Sequence, residues 1–289
     1  MGIRLKFNLG LLAVFVLAFT GAAIFLDRQF KASAREGVIQ NARIMLSAAN
    51  AVRRYTSEEI APIVTRGDPA WISPIIIPSY AAQTNFRAVR ADHPDYTYKE
   101  AALNPTNPAD RAQDWEADFI NAFRNNPALT SLNGERNTPT GPALTLALPI
   151  TIRDAACLVC HSTPDRAPPR MVEVYGPNNG FGWRLNETIG AQLVTVPMAV
   201  PLAGARANLI SALGILLAVF TGILVMVNLL LHTVVIRPVT RLSRGATAVS
   251  LGQPAEDFAA TGRDEMSELG RAFTRMRRSL DQAVKMLGH

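Results

Sequence analysis

The sequence predicts an α+β domain placed between two membrane-spanning helices and followed by a pair of amphipathic helices. Three patterns support this fold class: two long apolar stretches without charge, alternating apolar and polar residues between them, and heptad repeats after the second stretch. Because helical and alternating patterns occur in the same outer segment, we expect helices that cover an antiparallel sheet.

Two apolar stretches are long enough to cross a membrane. Residues 7–26 carry no charge, and the second stretch, residues 207–233, lies in a charge-free run that ends at Ile236. At about 1.5 Å per residue, each can span a hydrocarbon core of roughly 30 Å. A cleaved signal peptide is the alternative for the first stretch. Its apolar core is long for one, and no clear small-residue cleavage site precedes Asp27, so we expect a retained anchor.

The side of the membrane on which each segment lies follows from the short basic flanks. These residues precede the first span or follow the second: Arg4, Lys6, Arg237, Arg241 and Arg244. Because basic residues collect on the cytoplasmic side, we expect residues 1–6 and 234–289 in the cytoplasm and residues 27–206 outside. This describes a two-pass protein of the bacterial inner membrane with a periplasmic domain. The basic residues of the cytoplasmic tail face water or the lipid bilayer, so the net charge of +6 does not call for nucleic acid as a partner.

The first half of the outer segment contains two predicted helices. One runs from about Ala34 to Ile60, because apolar residues recur at helical spacing: Ile44, Ala48, Val52 and Tyr55. The other runs from Asp110, its cap, to Arg124 and has an aromatic face: Trp115, Phe119 and Phe123. Prolines recur through residues 73–142, which otherwise predicts loops and short elements.

Two alternating segments predict strands. Residues 144–152 alternate leucine and isoleucine with smaller residues, and Pro149 makes this an edge or irregular strand. Residues 194–200 alternate in the same way just ahead of the second apolar stretch. The last strand of the outer domain should therefore lead into the second membrane helix.

Heptad repeats begin after Ile236. The apolar positions of the first segment step by three and four residues: Val239, Leu242, Ala246 and Val249. The same steps return in the second segment: Met266, Leu269, Phe273, Met276, Leu280, Ala283 and Leu287. The connector contains Gly252, Pro254 and Gly262 and is not helical throughout. A hairpin folded on itself is the alternative, but neither helix is long enough to be stable alone, so we expect a homodimer.

This tail resembles a HAMP signal-relay domain. The resemblance rests on Pro238 at the head of the first helix, the glycine-bearing connector, and the segment Asp264–Gly270, which reads DEMSELG. It covers about Val234–Met286. It implies a parallel four-helix bundle made by two chains.

Cys157, Cys160 and His161 form a C-x-x-C-H sequence, the attachment sequence for c-type haem. Two thiols add across the two haem vinyl groups, the two intervening residues let both sulfurs reach, and the adjacent histidine meets the iron. These are the two cysteines of the chain. We therefore expect one covalently attached haem c with His161 as the metal ligand. Such attachment takes place outside the cytoplasmic membrane, where the basic flanks place Cys157.

Other uses of the cysteines are less well supported. A structural zinc site needs four ligands, whereas the outer segment offers His93 as its one further histidine. A thioredoxin-like dithiol needs a βαβ unit, which the sequence does not show. A disulfide is geometrically poor at this spacing.

The outer segment also resembles the PAS-like, c-haem-binding sensor domains of bacterial signalling proteins. The segments that carry the resemblance are Arg53–Thr56, Tyr96–Pro108, Pro139–Gly141, Cys157–Pro164 and Asn179–Trp183. It covers most of residues 34–201, and it implies a PAS-like sheet with helical flanks around the haem and a signal passed to a kinase or cyclase. The Asn-Pro pairs that begin at Asn104 and Asn107 are expected to form turns rather than to bind a ligand.

The sixth ligand of the iron is not fixed by the sequence. Relatives of this kind can use a cysteine upstream of the Asn-Pro segment, but this chain has no third cysteine. The candidates for the distal position are Tyr80, Met45, His93 and Met171. An open position is an equal alternative, because methionines on apolar faces usually belong to cores and a histidine beside proline to a surface loop.

Two classes of function fit these features. The leading hypothesis is a redox or gas sensor whose second membrane helix passes a shift of the outer domain to the HAMP-like tail and on to a separate cytoplasmic effector. The alternative is an electron-transfer cytochrome or an accessory subunit of a membrane respiratory or photosynthetic complex, against which the relay bundle argues. Haem-based enzymatic chemistry is a third option. No distal acid or base can be assigned to it, so we expect no catalytic activity.

Overall fold

The computed structural model describes residues 2–66, 73–253 and 262–287. The chain divides into two compact units, one formed by Asp27–Asn208 and the other by Met1–Leu26 together with Leu209–His289. The first unit combines helices with an antiparallel sheet, and two helices in the described ranges are long and apolar enough to cross a membrane. The predicted fold class is confirmed.

A four-stranded antiparallel sheet forms the centre of the first unit. Its strands are β1 (Thr97–Ala102), β2 (Leu132–Thr138), β3 (Gly141–Thr151) and β4 (Thr188–Pro197), in the spatial order β1-β4-β3-β2. The middle of β3 and nearly all of β4 are buried on both faces. Each face of the sheet is therefore covered by other parts of the domain, and a helix lies on each.

The long helix α1 (Ile3–Tyr55) covers one face. Its residues Val38, Ile39, Ala42 and Leu46 pack on apolar side chains of β3 and β4. The predicted helix from about Ala34 to Ile60 is present, but Ile44 and Tyr55, two of the residues whose spacing predicted it, are exposed. Apolar residues occur around much of α1, so spacing alone did not identify the side that meets the sheet.

Helix α4 (Asp114–Asn125) covers the other face with Ile120 and Phe123. It begins four residues later than predicted, and Asp110 is not its cap. Gln113 and Glu116 form a capping box instead, in which each side chain satisfies the backbone N–H of the other. Asp110 ends a separate 3-10 turn, Pro108–Asp110.

The region between these helices is more regular than the prolines predicted. After a π-helical turn (Thr56–Ile60) and the short α2 (Ala61–Val64), residues Pro78–Asp92 form α3. Pro78 stands at the first position of α3, where a backbone N–H has no helical partner to lose. Strand β1 also lies in this region, and β2 follows α4. Both strands were missed.

The two predicted strands are present with altered limits. β3 is an internal strand, because it pairs with β2 on one side and β4 on the other. Its pairing with β2 ends at Ala147, so Pro149 pairs with β4 alone and lies in an edge-like part of the strand. β4 ends at Pro197, and α7 (Ala199–Leu230) begins at once. Val200 therefore belongs to a helix and not to the predicted strand.

In the second unit, apolar parts of α1 and α7 lie side by side. The Asn8 and Asn228 amides bond to each other, and the Phe15 and Phe220 rings stack with centroids 3.6 Å apart. A π-helical turn (Leu231–Ile236) leads to α8 (Arg237–Ser250), and α9 (Glu265–Leu287) follows the connector. The predicted connector residue Pro254 lies outside the described residues.

Candidate functional site

Cys157 and Cys160 lie on a short helix, α5 (Cys157–His161), which follows β3. Asp154 orders the turn before this helix: its carboxylate accepts a hydrogen bond of 2.8 Å from the backbone N–H of Ala156, and its carbonyl accepts one of 3.2 Å from that of Cys157. Both thiols are half-buried and unpaired. Cys157 also packs against an apolar cluster at the ends of three strands, formed by Ala102, Ile152 and Ile189.

The electrostatics of the two thiols do not match those of a reactive dithiol. Burial raises the pKa of Cys157, and the nearby carboxylate of Asp154 raises it further. Burial likewise raises the pKa of Cys160. Catalytic dithiols depend on a lowered thiol pKa, so this environment argues against a thioredoxin-like role.

The ligand geometry also differs from that of a zinc site. Within the described ranges, no three His, Cys, Asp or Glu side chains converge in an arrangement that could hold a metal ion. In c-type haem attachment the two sulfurs bond to carbon and the histidine alone reaches the metal, so convergence of the three side chains on one point is not required. The residues present fit that chemistry.

The imidazole of His161 is fixed by a hydrogen bond at one nitrogen. Its Nδ1 lies 2.8 Å from the carbonyl oxygen of Gly180. Since a carbonyl can only accept, Nδ1 carries the hydrogen and Nε2 keeps a lone pair for a metal. Burial lowers the pKa of His161, although the bond to Gly180 raises it. A neutral imidazole with Nε2 available is the form that binds iron.

The ring of His161 also stacks on the indole of Trp183. The ring centroids lie 3.8 Å apart and the planes differ by 12°. Two backbone hydrogen bonds connect the loop that carries Trp183 to the end of α5. The backbone N–H of Trp183 donates to the His161 carbonyl at 3.2 Å, and the backbone N–H of Gly182 donates to the Ser162 carbonyl at 2.9 Å. Ring orientation is therefore set by a hydrogen bond at the edge and by an aromatic face.

Two loops meet beside His161. We call residues 104–108 the Asn-Pro loop and residues 179–183 the glycine loop. The hydroxyl of Thr106, in the Asn-Pro loop, lies 3.4 Å from His161 Nδ1. The amide of Asn104 bonds to the glycine loop: its Oδ1 accepts from Gly180 N–H and its Nδ2 donates to the Phe181 carbonyl, both at 3.3 Å.

Comparison with known proteins identifies the domain that holds this site. A family model described as Tll0287-like matches residues 31–197, more than half of the chain. The chain belongs to this family. A model of the HAMP domain matches residues 230–282, so the Tll0287-like domain is followed by a signal-relay domain. The resemblance to a sensor with a HAMP relay is confirmed.

One solved structure is similar to the Tll0287-like domain, the crystal structure of the cyanobacterial heme-protein Tll0287. The two chains are 17% identical, and the match covers 55% of this chain and 94% of the other with a TM-score of 0.44. No curated protein matches this chain.

The four distal candidates lie on, or at the end of, three helices of the Tll0287-like domain. Tyr80 is on the first turn of α3 and is 42% exposed. Met45 lies on α1 and is partly buried against the apolar core. His93 is the C-cap of α3 and is exposed. Met171 is half-buried on α6 (Pro169–Tyr175). In the described part of the chain, no hydrogen bond or ring contact joins any of them to His161, and their role stays a prediction.

Sequence reasoning did not identify the residues that hold His161 in place. Gly180, Thr106 and Trp183 lie within segments that carried the family resemblance, but no spacing rule connects His161 with Gly180, 19 residues away, or with Thr106, 55 residues away. Asn104 was expected to form a turn, and the structure adds a link to the glycine loop. The sequence signal for this link is that both loops lie in segments that carry the same family resemblance.

Proposed function

We propose that this Tll0287-like protein is a membrane-anchored c-type haem protein that senses redox potential or a small gas and relays the state to a cytoplasmic effector. One haem c is attached through Cys157 and Cys160, and His161 is the axial ligand of its iron. The observation that carries this proposal is the 2.8 Å contact between His161 Nδ1 and the Gly180 carbonyl, which leaves Nε2 for the iron directly after a C-x-x-C sequence.

The residues at and around the attachment sequence would hold the haem from one face of its porphyrin ring. When bound, haem would supply an iron that changes oxidation state or binds a small gas. His161 is held by its hydrogen bond and by Trp183, and both thiols are used in thioether bonds, so no thiolate remains for the opposite face. Tyr80, Met45, His93 and Met171 remain the proposed distal ligands, beside an open position.

The proposed topology rests on the charges beside the apolar stretches. Residues 1–6 and 234–289 lie in the cytoplasm, residues 7–26 and 207–233 cross the inner membrane, and residues 27–206 form the periplasmic domain. Support comes from the basic flanks and from the two helices that are apolar enough to span a bilayer. This places the attachment sequence on the side where covalent haem attachment occurs.

The proposed relay uses the direct connection between sheet and membrane helix. β4 ends at Pro197 and α7 begins at Ala199, so a displacement of the central strand has a short path to the second span. Apolar residues of the heptad seams remain exposed in a single chain: Val239 at 42%, Leu269 at 49% and Met276 at 60%. A second copy would bury them, and the effector is a protein such as a kinase or cyclase.

The sensor proposal is tested on the full-length protein in membranes. Cysteines introduced at Leu269 or Met276 are joined between chains with an irreversible bismaleimide, in the oxidised protein and after reduction with ascorbate. A sensor shows a different yield in the two states, and the Cys157→Ala/Cys160→Ala background without haem shows no difference. Equal yields in both states, with co-purification of a respiratory or photosynthetic complex, would support the electron-transfer alternative instead.

A further inference from the structure

We propose that Asn104 is a positioning residue: its side-chain amide holds the Gly180 carbonyl against His161 and so fixes the imidazole that binds the iron. This inference rests on the proposed role of His161 as the axial ligand. It assigns a function to a residue that does not touch the histidine.

The amide of Asn104 bridges two successive residues of the glycine loop. Its Oδ1 accepts from Gly180 N–H at 3.3 Å, and its Nδ2 donates to the Phe181 carbonyl at 3.3 Å. Because one end of the amide must accept and the other must donate, these partners also fix which way the amide is turned. The pair of bonds restrains the 179–180 and 181–182 peptide groups, which flank the peptide group that carries the Gly180 carbonyl.

A second bridge reaches the glycine loop from residues that flank the Asn-Pro loop. The guanidinium of Arg111 donates to the Asn179 side-chain oxygen at 3.0 Å and to the Leu103 carbonyl at 3.4 Å. Arg111 thus holds the residue before Gly180, and Asn104 holds Gly180 and the residue after it. Hydrogen bonds therefore restrain the glycine loop both before and after the Gly180 carbonyl.

The close approach of the loops explains why position 180 is a glycine. Gly180 has a φ of +78°, a backbone conformation that other residues rarely adopt. A Cβ at this position would lie 2.1 Å from Thr106 Oγ1 and 2.7 Å from Thr106 Cα. The Asn-Pro loop thus packs directly on Gly180 and leaves its carbonyl in place toward His161 Nδ1, at 2.8 Å.

The chemical consequence passes through the hydrogen bond to His161. A carbonyl that accepts from Nδ1–H increases the electron donation of Nε2 to a bound metal, and loss of such outer partners typically costs about 10–100-fold in metal affinity or activity. Without Asn104, the Gly180 peptide can rotate and the hydrogen bond weakens. Poorer electron donation stabilises ferric iron less, so the reduction potential should rise.

The test compares Asn104→Ala with Asn107→Ala in the full-length protein. Asn107 is a matched control, because it lies in the same loop and its side chain accepts from the Ala109 N–H and not from the glycine loop. Two quantities are measured: the midpoint potential of the haem protein, and hydrogen exchange of the peptide that contains Gly180 in the protein without haem. We expect a higher potential and faster exchange in Asn104→Ala, and wild-type values in Asn107→Ala.

Asn104→Asp provides a second variant in case the alanine variant does not fold. It keeps the acceptor for Gly180 N–H and loses the donor to the Phe181 carbonyl, so we expect an intermediate change in both quantities. Wild-type potential and exchange in the folded Asn104 variants would overturn the positioning role. If the wild-type chain does not attach haem, the proposed function fails, and exchange at Gly180 still decides whether Asn104 restrains the glycine loop.

Discussion

Arg53 of α1 and Glu100 of β1 form an ion pair beneath the helix, and the carboxylate of Glu100 is only 4% exposed. The phenol of Tyr98 donates a second hydrogen bond of 2.6 Å to Glu100. The guanidinium is also close enough to Cys157 to lower the pKa of that thiol against the larger effect of burial. This pair therefore connects α1 to the sheet beside the attachment sequence.

Glu100→Gln should destabilise the Tll0287-like domain, because it leaves the Arg53 charge without its partner. Removal of one member of a buried pair costs about 3–5 kcal/mol, and we expect the lower end because Arg53 is 26% exposed. All three tryptophans lie in the Tll0287-like domain, so urea unfolding followed by tryptophan fluorescence reports on this domain. The double variant Arg53→Met/Glu100→Gln, which keeps an acceptor for the Tyr98 phenol, should recover most of the loss. A double variant as unstable as Glu100→Gln would show that the charge imbalance is not the cause.

Deprotonation of Tyr98 should destabilise the Tll0287-like domain at alkaline pH. Burial raises the pKa of Tyr98, and the charge of Glu100 raises it further. A phenol with a raised pKa in the folded state stabilises the fold below its unfolded pKa of about 10, and this stability is lost as the pH rises above that value.

The measurement is the free energy of unfolding between pH 8 and pH 11, at intervals of half a unit. We expect the loss above about pH 10 to be smaller in Tyr98→Phe than in the wild type. Tyr175→Phe, on α6, is the control for the removal of a phenol. Equal slopes in Tyr98→Phe and the wild type would refute the assignment.

Asn8 and Asn228 should hold the two apolar helices in register. Their amides bond in both directions, at 3.1 Å and 2.9 Å. Polar contacts between membrane helices contribute about 0.6 kcal/mol on average and up to about 1.7 kcal/mol. Asn8→Leu and Asn228→Leu should each reduce cross-linking between cysteines introduced at Phe15 and Phe220, and the double leucine variant should restore part of it. Unchanged yields in both single variants would exclude a role in register.

The heptad seams should be buried between two copies of the chain. Cysteines introduced singly along α9 should cross-link between chains with heptad periodicity, and most strongly at Leu269 and Met276. Efficient cross-linking at Arg271 and Arg278 in place of those two positions would reject the parallel bundle. A monomer in membranes would remove the relay mechanism as well.

Local sequence patterns were sufficient where one element or motif carries its own signal. The apolar stretches, the heptads before and after the connector, and Cys157–His161 were identified in this way. β1 and β2 were missed because their sequences, TYKEAA and LNGERNT, are largely polar and do not alternate. Their strand structure comes from pairing with β4 and β3, which is a tertiary effect.

The candidate site shows the same division. The C-x-x-C-H sequence located its chemistry, but Gly180 is 19 residues from His161 and Thr106 is 55 residues away. Only the folded arrangement of the two loops brings them to the imidazole. The spacing of Ile44 and Tyr55 predicted the helix, but it did not show which side of α1 meets the sheet, and both residues are exposed.

The most direct test of the central claim is the mass of the full-length protein produced with a working haem-attachment system. We expect the mass of one haem bound through Cys157 and Cys160. The haem stain should be retained after denaturing electrophoresis and be reduced or lost in Cys157→Ala. His161→Ala should change the spectrum of the iron in the protein that still carries haem. A wild-type chain with the unmodified mass of its polypeptide would contradict the account.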